Sequence, residues 1–250
     1  MKSRFSIPNN EIFAPAFARA QETDYEIIRE SETACVERLV ANRCEAALLT
    51  PMGYAQALEH VAVRIVPGVA LAAKGYSGIC SVSFNPESGG DRHKWRLLAR
   101  DANEFLAVIA KLMLAERYGM AVELVTSGDY DAKLHYSNEA APEECAIDLT
   151  EDWEETYEIM LPYAVWVCRA AEHPENITEE IAELSAIDLA EKAPIIEEHP
   201  LEGHEPREGE LIAVWNEDME EAAAQTLSLL FYHQYFKELP DINVLGETDD

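Results

Sequence analysis

The sequence predicts an α/β protein with mainly parallel sheets and helices at its carboxyl end. Short runs of β-branched and aromatic residues alternate with helical stretches as far as Arg169, and beyond it the β-type runs give way to helical, acidic sequence. The 250 residues, 48% hydrophobic and 27% charged, suffice to bury a core. This length fits one or two units, and a two-lobed single fold is equally allowed.

Strands are expected at Arg4 to Pro8, Tyr25 to Ile28, Ala46 to Thr50, Ala70 to Ala73, Ile79 to Phe84, Val122 to Thr126 and Tyr163 to Cys168. Ser31 is placed to cap a helix running to Asn42, and Pro51 fits the first turn of a second ending at Leu58. A third helix, Asp101 to Tyr118, starts on the capping-box pair Asp101 and Glu104 and stops at Gly119. Thr178 opens a helix to about Ala190, and Asn216 opens another through Phe236. Pro194 to Gly209, with three prolines and two glycines, reads as a connecting loop.

Composition excludes several functions. The net charge is −29, and it is uneven: 17 acids and 15 bases stand up to Asn138, 31 acids and 4 bases after it. A chain of this charge is a poor partner for nucleic acid or anionic lipid, and the acidic second half reads as a solvated coat. Five cysteines without a C-x-x-C pair signal neither a disulfide framework nor a zinc ribbon, and suit a reducing compartment. No export signal and no spanning segment is legible, so a cytoplasmic protein is expected.

Glycine-rich nucleotide loops, the G-x-S-x-G elbow and H-E-x-x-H are absent from the sequence. His199 and His204, among glutamates in a loop, lack a helical frame for a metal, and neither metal nor cofactor is expected. Parallel sheets bind ligands beyond the carboxyl ends of their strands, which directs attention to Pro8–Glu11, Thr50–Gly53, Gly75–Ser83 and Leu134–Asn138. In the third of these, Ser77, Gly78 and Ser81 bring amides and hydroxyls together, as either an anion cradle or a polar crossover between lobes. Arg92, His93, Lys94, Arg96 and Arg100 could steer a small anion or form a solvated face. His135, just past an expected strand, is either a general base or a structural histidine.

Asp148-Leu149-Thr150-Glu151-Asp152-Trp153-Glu154-Glu155-Thr156, followed by Leu161-Pro162-Tyr163-Ala164-Val165-Trp166-Val167, resembles the signature of the menaquinone biosynthesis family of the futalosine route. Glu45 to Ala55 is similar to a further stretch of that family. The resemblance implies a two-lobed type 2 periplasmic-binding-protein-like fold, with residues 1–84 as the first lobe, completed by 170–250 and its C-terminal helices, and 85–169 as the second. It implies a small anionic substrate, chorismate or a futalosine derivative, in a central cleft. Leu161–Val167 and Ala46–Ala55 look more like chorismate dehydratase, which makes 3-[(1-carboxyvinyl)oxy]benzoate. Ser6 to Glu11 and His135-Tyr136-Ser137 are similar to 1,4-dihydroxy-6-naphthoate synthase, whose matching histidine is the catalytic base.

By that resemblance Asn10 (or Asn9), Ser81 (or Ser77) and His135 are the candidate catalytic groups, with Thr50, Pro51, Met52 and Gly78 beside the substrate. A non-catalytic binding protein of the same fold is the further alternative. Leu227, Leu230, Phe231, Tyr232, Tyr235 and Phe236 give the last helix an apolar face that either packs onto the first lobe or forms a dimer, so monomer and homodimer both stand.

Overall fold

The computed structural model describes residues 2–88, 94–137, 147–185, 192–197 and 205–246. In chain order its strands are β1 (Arg4–Pro8), β2 (Glu26–Glu30), β3 (Ala46–Leu49), β4 (Val63–Gly75), β5 (Cys80–Phe84), β6 (Trp95–Leu98), β7 (Val122–Val125), β8 (Ala132–Tyr136), β9 (Ile147–Asp148), β10 (Leu161–Arg169), β11 (Lys192–Ile196) and β12 (Glu208–Val214). Its helices are α1 (Glu32–Val40), α2 (Pro51–Leu58), α3 (Phe105–Glu116), α4 (Leu149–Tyr157), α5 (Ile177–Leu184) and α6 (Glu217–Tyr232). The chain forms two compact units: Met1–Ala72 with Leu161–Ala193 and Ile212–Asp250, and Ala73–Met160 with Pro194–Leu211. The expected division put β5 and Pro194–Leu211 in the first unit and β10 in the second. Instead β5 falls in the second, where it pairs with β8 and β9, β10 in the first, where it pairs with β3, and Pro194–Leu211 in the second.

In the first unit β1 pairs in parallel with β2 and β3, and β10 runs antiparallel to β3. Phe5 to Pro8, Ala46 to Leu49 and Leu161 to Cys168 are buried throughout, as strands covered on both faces must be. Local chemistry starts the helices: Ser31, Thr50 and Asn216 accept the amides of Ala34, Gly53 and Met219 respectively. The inner face of α6, including Met219, Ala223, Leu227 and Leu230, packs on β10 and α2. Tyr232 stays out of that face, 77% exposed.

In the second unit the order is β7-β6-β8-β5-β9. β6 lies parallel to β7 and β8, while β5 is antiparallel to β8 and β9. Helix α3 is buried on nearly every side and ends at Arg117, with Gly119 beyond it in a left-handed conformation. Asp101 does not start it. Glu104 is the N-cap residue, without a side-chain cap bond, because its carboxylate is taken by Arg100 and by the Tyr136 hydroxyl.

Strands do continue after Arg169, contrary to expectation: β11 and β12 occupy much of the stretch read as a loop. Pro194 disguised β11, which lies at a sheet edge where proline is tolerated. The helix expected to reach Ala190 is described only to Leu184, since residues 186–191 lie outside the described part. No helix among the described residues is long and apolar enough to cross a membrane.

Candidate functional site

The sequence-derived candidates divide between the units. Asn9, Asn10, Thr50, Pro51 and Met52 belong to the first, where β1 and β3 are parallel neighbours, so that the segments following Pro8 and Leu49 emerge at the same end of the sheet. Each polar side chain in this group that is buried has a local task. Asn10 Oδ1 accepts the Ile12 amide at 3.3 Å and caps a 3₁₀ segment, Glu11–Phe17. Thr50 Oγ1 accepts the Gly53 amide at 3.2 Å and caps α2, with Pro51 in its first turn. Both bonds use acceptor lone pairs, leaving the Asn10 amide hydrogens and the Thr50 hydroxyl hydrogen as donors suited to an anion. Asn9 is exposed, its backbone amide donating to Glu30, and Met52 is buried.

A charged network stiffens the same unit. Glu30 receives Arg38 through both carboxylate oxygens, at 2.6 and 2.9 Å, and the Ser6 hydroxyl at 2.5 Å. Arg38 holds the Glu30 carboxyl below its ordinary range.

Ser77, Gly78, Ser81 and His135 belong to the second unit, and the structure brings them close to a residue that sequence reasoning did not single out. The Asp148 carboxylate accepts the amides of Ser77 (3.3 Å), Gly78 (2.9 Å), Thr150 (3.1 Å) and Glu151 (3.1 Å). Ser77 Oγ lies 2.9 Å from Thr150 Oγ1. The expected anion cradle is therefore filled, and its occupant is the carboxyl group of the protein's own Asp148. Asp148 also caps α4, so one carboxylate fastens the Tyr76–Ile79 connection to a helix start. Burial pushes its carboxyl up, against the downward pull of the amides.

Ser81 lies on β5, within the strand expected at Ile79 to Phe84, whereas His135 lies within β8 and not past a strand, where it was expected. Strand pairing explains the correction, because Ala132, Leu134 and Tyr136 alternate inward along β8. In the antiparallel register Ser81 is opposite His135 on one side and opposite Asp148 on the other. Residues directly opposite share a sheet face, so Ser81, His135 and Asp148 share one, with Ser83 two positions along. Ser83, unforeseen, has its Oγ 2.8 Å from His135 Nε2. The period of two in Ser81-Val82-Ser83 was the signal that could have found it.

Other expected features lie elsewhere. Of the basic cluster, Lys94 pairs with Glu123, Arg96 with Asp131 and Arg100 with Glu104, while Arg92 and His93 are outside the described residues. So are His199, His204, Cys145 and Asn138. Among the described residues no cluster of metal-ligating side chains is found. A cavity of about 550 Å³ in the first unit, beside Leu58, His60 and Lys237, and one of about 420 Å³ in the second, beside Lys74 and Glu154, include none of the candidates.

No protein-family model and no curated protein matches this sequence. Among solved structures, protein AF1704 from Archaeoglobus fulgidus is similar with a TM-score of 0.53 and 17% identity, over 72% of this chain and 72% of that one. The periplasmic aliphatic sulphonate binding protein SsuA from Escherichia coli is similar with a TM-score of 0.53 and 8% identity, over 100% of this chain and 95% of its own. These likenesses carry the fold and nothing finer: the chain has the two-lobed α/β fold of periplasmic binding proteins.

Proposed function

We propose that the chain is a chorismate dehydratase-like lyase, eliminating water from chorismate to give 3-[(1-carboxyvinyl)oxy]benzoate, with Asn10, Ser81 and His135 as its principal groups. The observation that supports this best is the β5–β8 register, which sets Ser81 against His135 on a polar sheet face. The binding-protein fold and the menaquinone-family motifs support a small anionic substrate. Loss of the C3 proton and the 4-hydroxyl makes the ring aromatic, so the chemistry is downhill. What remains for the protein is to orient the substrate, accept a proton and hold oxygens carrying negative charge. An imidazole such as that of His135 suits the proton, which can leave again with the hydroxide as water. Asn10 and Ser81 suit the carboxylate oxygens.

Binding without turnover is the second reading, supported by the likeness in fold to the binding protein SsuA; it too must use donors other than the Ser77 and Gly78 amides, which Asp148 occupies. Incubation of the purified protein with chorismate, read by mass spectrometry for loss of one water, tests the proposal. Asn10→Asp, which keeps the capping oxygen but loses the amide donor, and Ser81→Ala should both abolish the product. Thermal stabilisation by chorismate without product would replace the lyase with a binding protein. If neither occurs, cyclic dehypoxanthine futalosine, the substrate of the naphthoate synthase reaction, is tested next, with His135→Ala as the control expected to lose turnover.

A further inference from the structure

We infer that Ser83 is a catalytic residue that meets the substrate, and that His135 acts through it as the far end of a proton relay; this rests on the lyase reading above. His135 is only 4% exposed, and its Nε2 is already engaged by Ser83 Oγ at 2.8 Å. Ser83 itself is partly exposed, on the sheet face it shares with Ser81 and Lys133, whereas the opposite face of these strands carries the buried Cys80, Val82, Leu134 and Tyr136. A carbon acid therefore reaches the serine oxygen before it reaches the imidazole. Asp148, the register partner of Ser81, is only 3% exposed behind the four backbone amides that it accepts, so a substrate does not reach it.

The step balances without any co-reactant. As the substrate C–H bond breaks, its proton passes to Ser83 Oγ while the hydroxyl proton of Ser83 passes to His135 Nε2. The C–H electron pair enters the ring and expels hydroxide, which takes the proton of Ser83 and leaves as water, while Ser83 recovers its own proton from the imidazolium. The relay needs the neutral imidazole protonated at Nδ1, so that Nε2 accepts from Ser83. In the other tautomer Nε2–H donates to Ser83 Oγ, and the serine only orients a structural histidine.

The test separates the relay from the reading it rests on. Nitrogen NMR of the full-length, histidine-labelled protein above the imidazole titration should show Nε2 of His135 unprotonated; a protonated Nε2 overturns the relay whether or not chorismate reacts. On chorismate, Ser83→Ala should lower kcat by about 100-fold or more with little change in KM, the scale of a lost acid–base group. Ser83→Thr, which keeps the hydroxyl, should recover most of that loss. A solvent deuterium isotope effect on kcat, linear in deuterium fraction, is expected from the one exchangeable proton in flight, that of the Ser83 hydroxyl, which a merely structural serine would not produce. Full turnover in Ser83→Ala beside loss in His135→Ala would overturn the relay in favour of direct abstraction. Absence of turnover in the native protein, with Nε2 unprotonated, would remove the lyase reading and uphold the Ser83–His135 pair.

Discussion

Asp148 Oδ2 accepts the Gly78 amide at 2.9 Å across 70 residues of chain, tying the connection between β4 and β5 to the start of α4. The same carboxylate serves a helix cap and a loop anchor, so its removal strands donors of both kinds. A lost cap costs about 1 kcal/mol and a buried donor left without a partner about 1–3 kcal/mol. Asp148→Ala should therefore destabilise the protein by roughly 2–4 kcal/mol, and Asp148→Asn, which keeps one carbonyl acceptor, by less. Urea unfolding measures both, and an unchanged midpoint in Asp148→Ala would refute the anchoring role.

Stability should depend on pH with opposite signs at Asp148 and Glu30. Burial raises the folded Asp148 carboxyl above its ordinary 3.8, so its contribution is complete below that value and is lost as pH rises through the folded pKa. Arg38 lowers Glu30 below its ordinary 4.5, so that contribution is complete above 4.5 and is lost as pH falls through the folded pKa. Urea midpoints taken from about pH 3 to pH 6 should show the penalty of Asp148→Asn shrinking with rising pH and that of Glu30→Gln growing. The reverse trend at either site would contradict its assigned environment.

What the sequence made legible was local. Ser31, Thr50 and Asn216 announce helix starts because a hydroxyl or amide caps an amide three residues on, within the same short segment. β6 and β11 were missed because pairing supplies what their own residues lack: Trp95–Leu98 shows no alternation, and Pro194 reads as a breaker. The candidate residues lay in plain view, but their grouping did not. Ser81 becomes a neighbour of both His135 and Asp148 only through a register set by strands far apart in the chain. Asp148 opens the family-like motif, but its bond to Gly78 is a non-local fact that no window of sequence contains.

The cysteines should be inert in the native state. Cys35, Cys44, Cys80 and Cys168 are fully buried, and burial pushes the thiols of Cys35, Cys44 and Cys168 up to about 12. Thiolate is the reactive form, so both access and protonation oppose modification. In a Cys145→Ser variant at pH 8, Ellman's reagent should label these four at least about 100-fold more slowly than in urea. Prompt labelling of even one would mean that its surroundings open readily.

Among the described glycines of the second unit, Gly209 is the one least able to carry a side chain. A Cβ there would lie 1.9 Å from the Tyr76 carbonyl oxygen and 2.7 Å from that of Lys74, both backbone atoms. The neighbouring Tyr76 amide donates to the Glu208 carbonyl at 3.0 Å, and Arg207 stacks over the Tyr76 ring while pairing with Glu151, so separating the strands would break several contacts at once. Gly68 provides the comparison: its φ of +107° strains any replacement, yet a Cβ there would meet nothing within 4 Å. Gly209→Ala should cost more than about 2 kcal/mol and more than Gly68→Ala, because a clash with backbone adds to the ordinary cost of replacing glycine. Thermal unfolding ranks the two variants, and amide exchange at Tyr76 should quicken only in Gly209→Ala. Equal stability of Gly209→Ala and the native chain would show that β4 and β12 separate without loss.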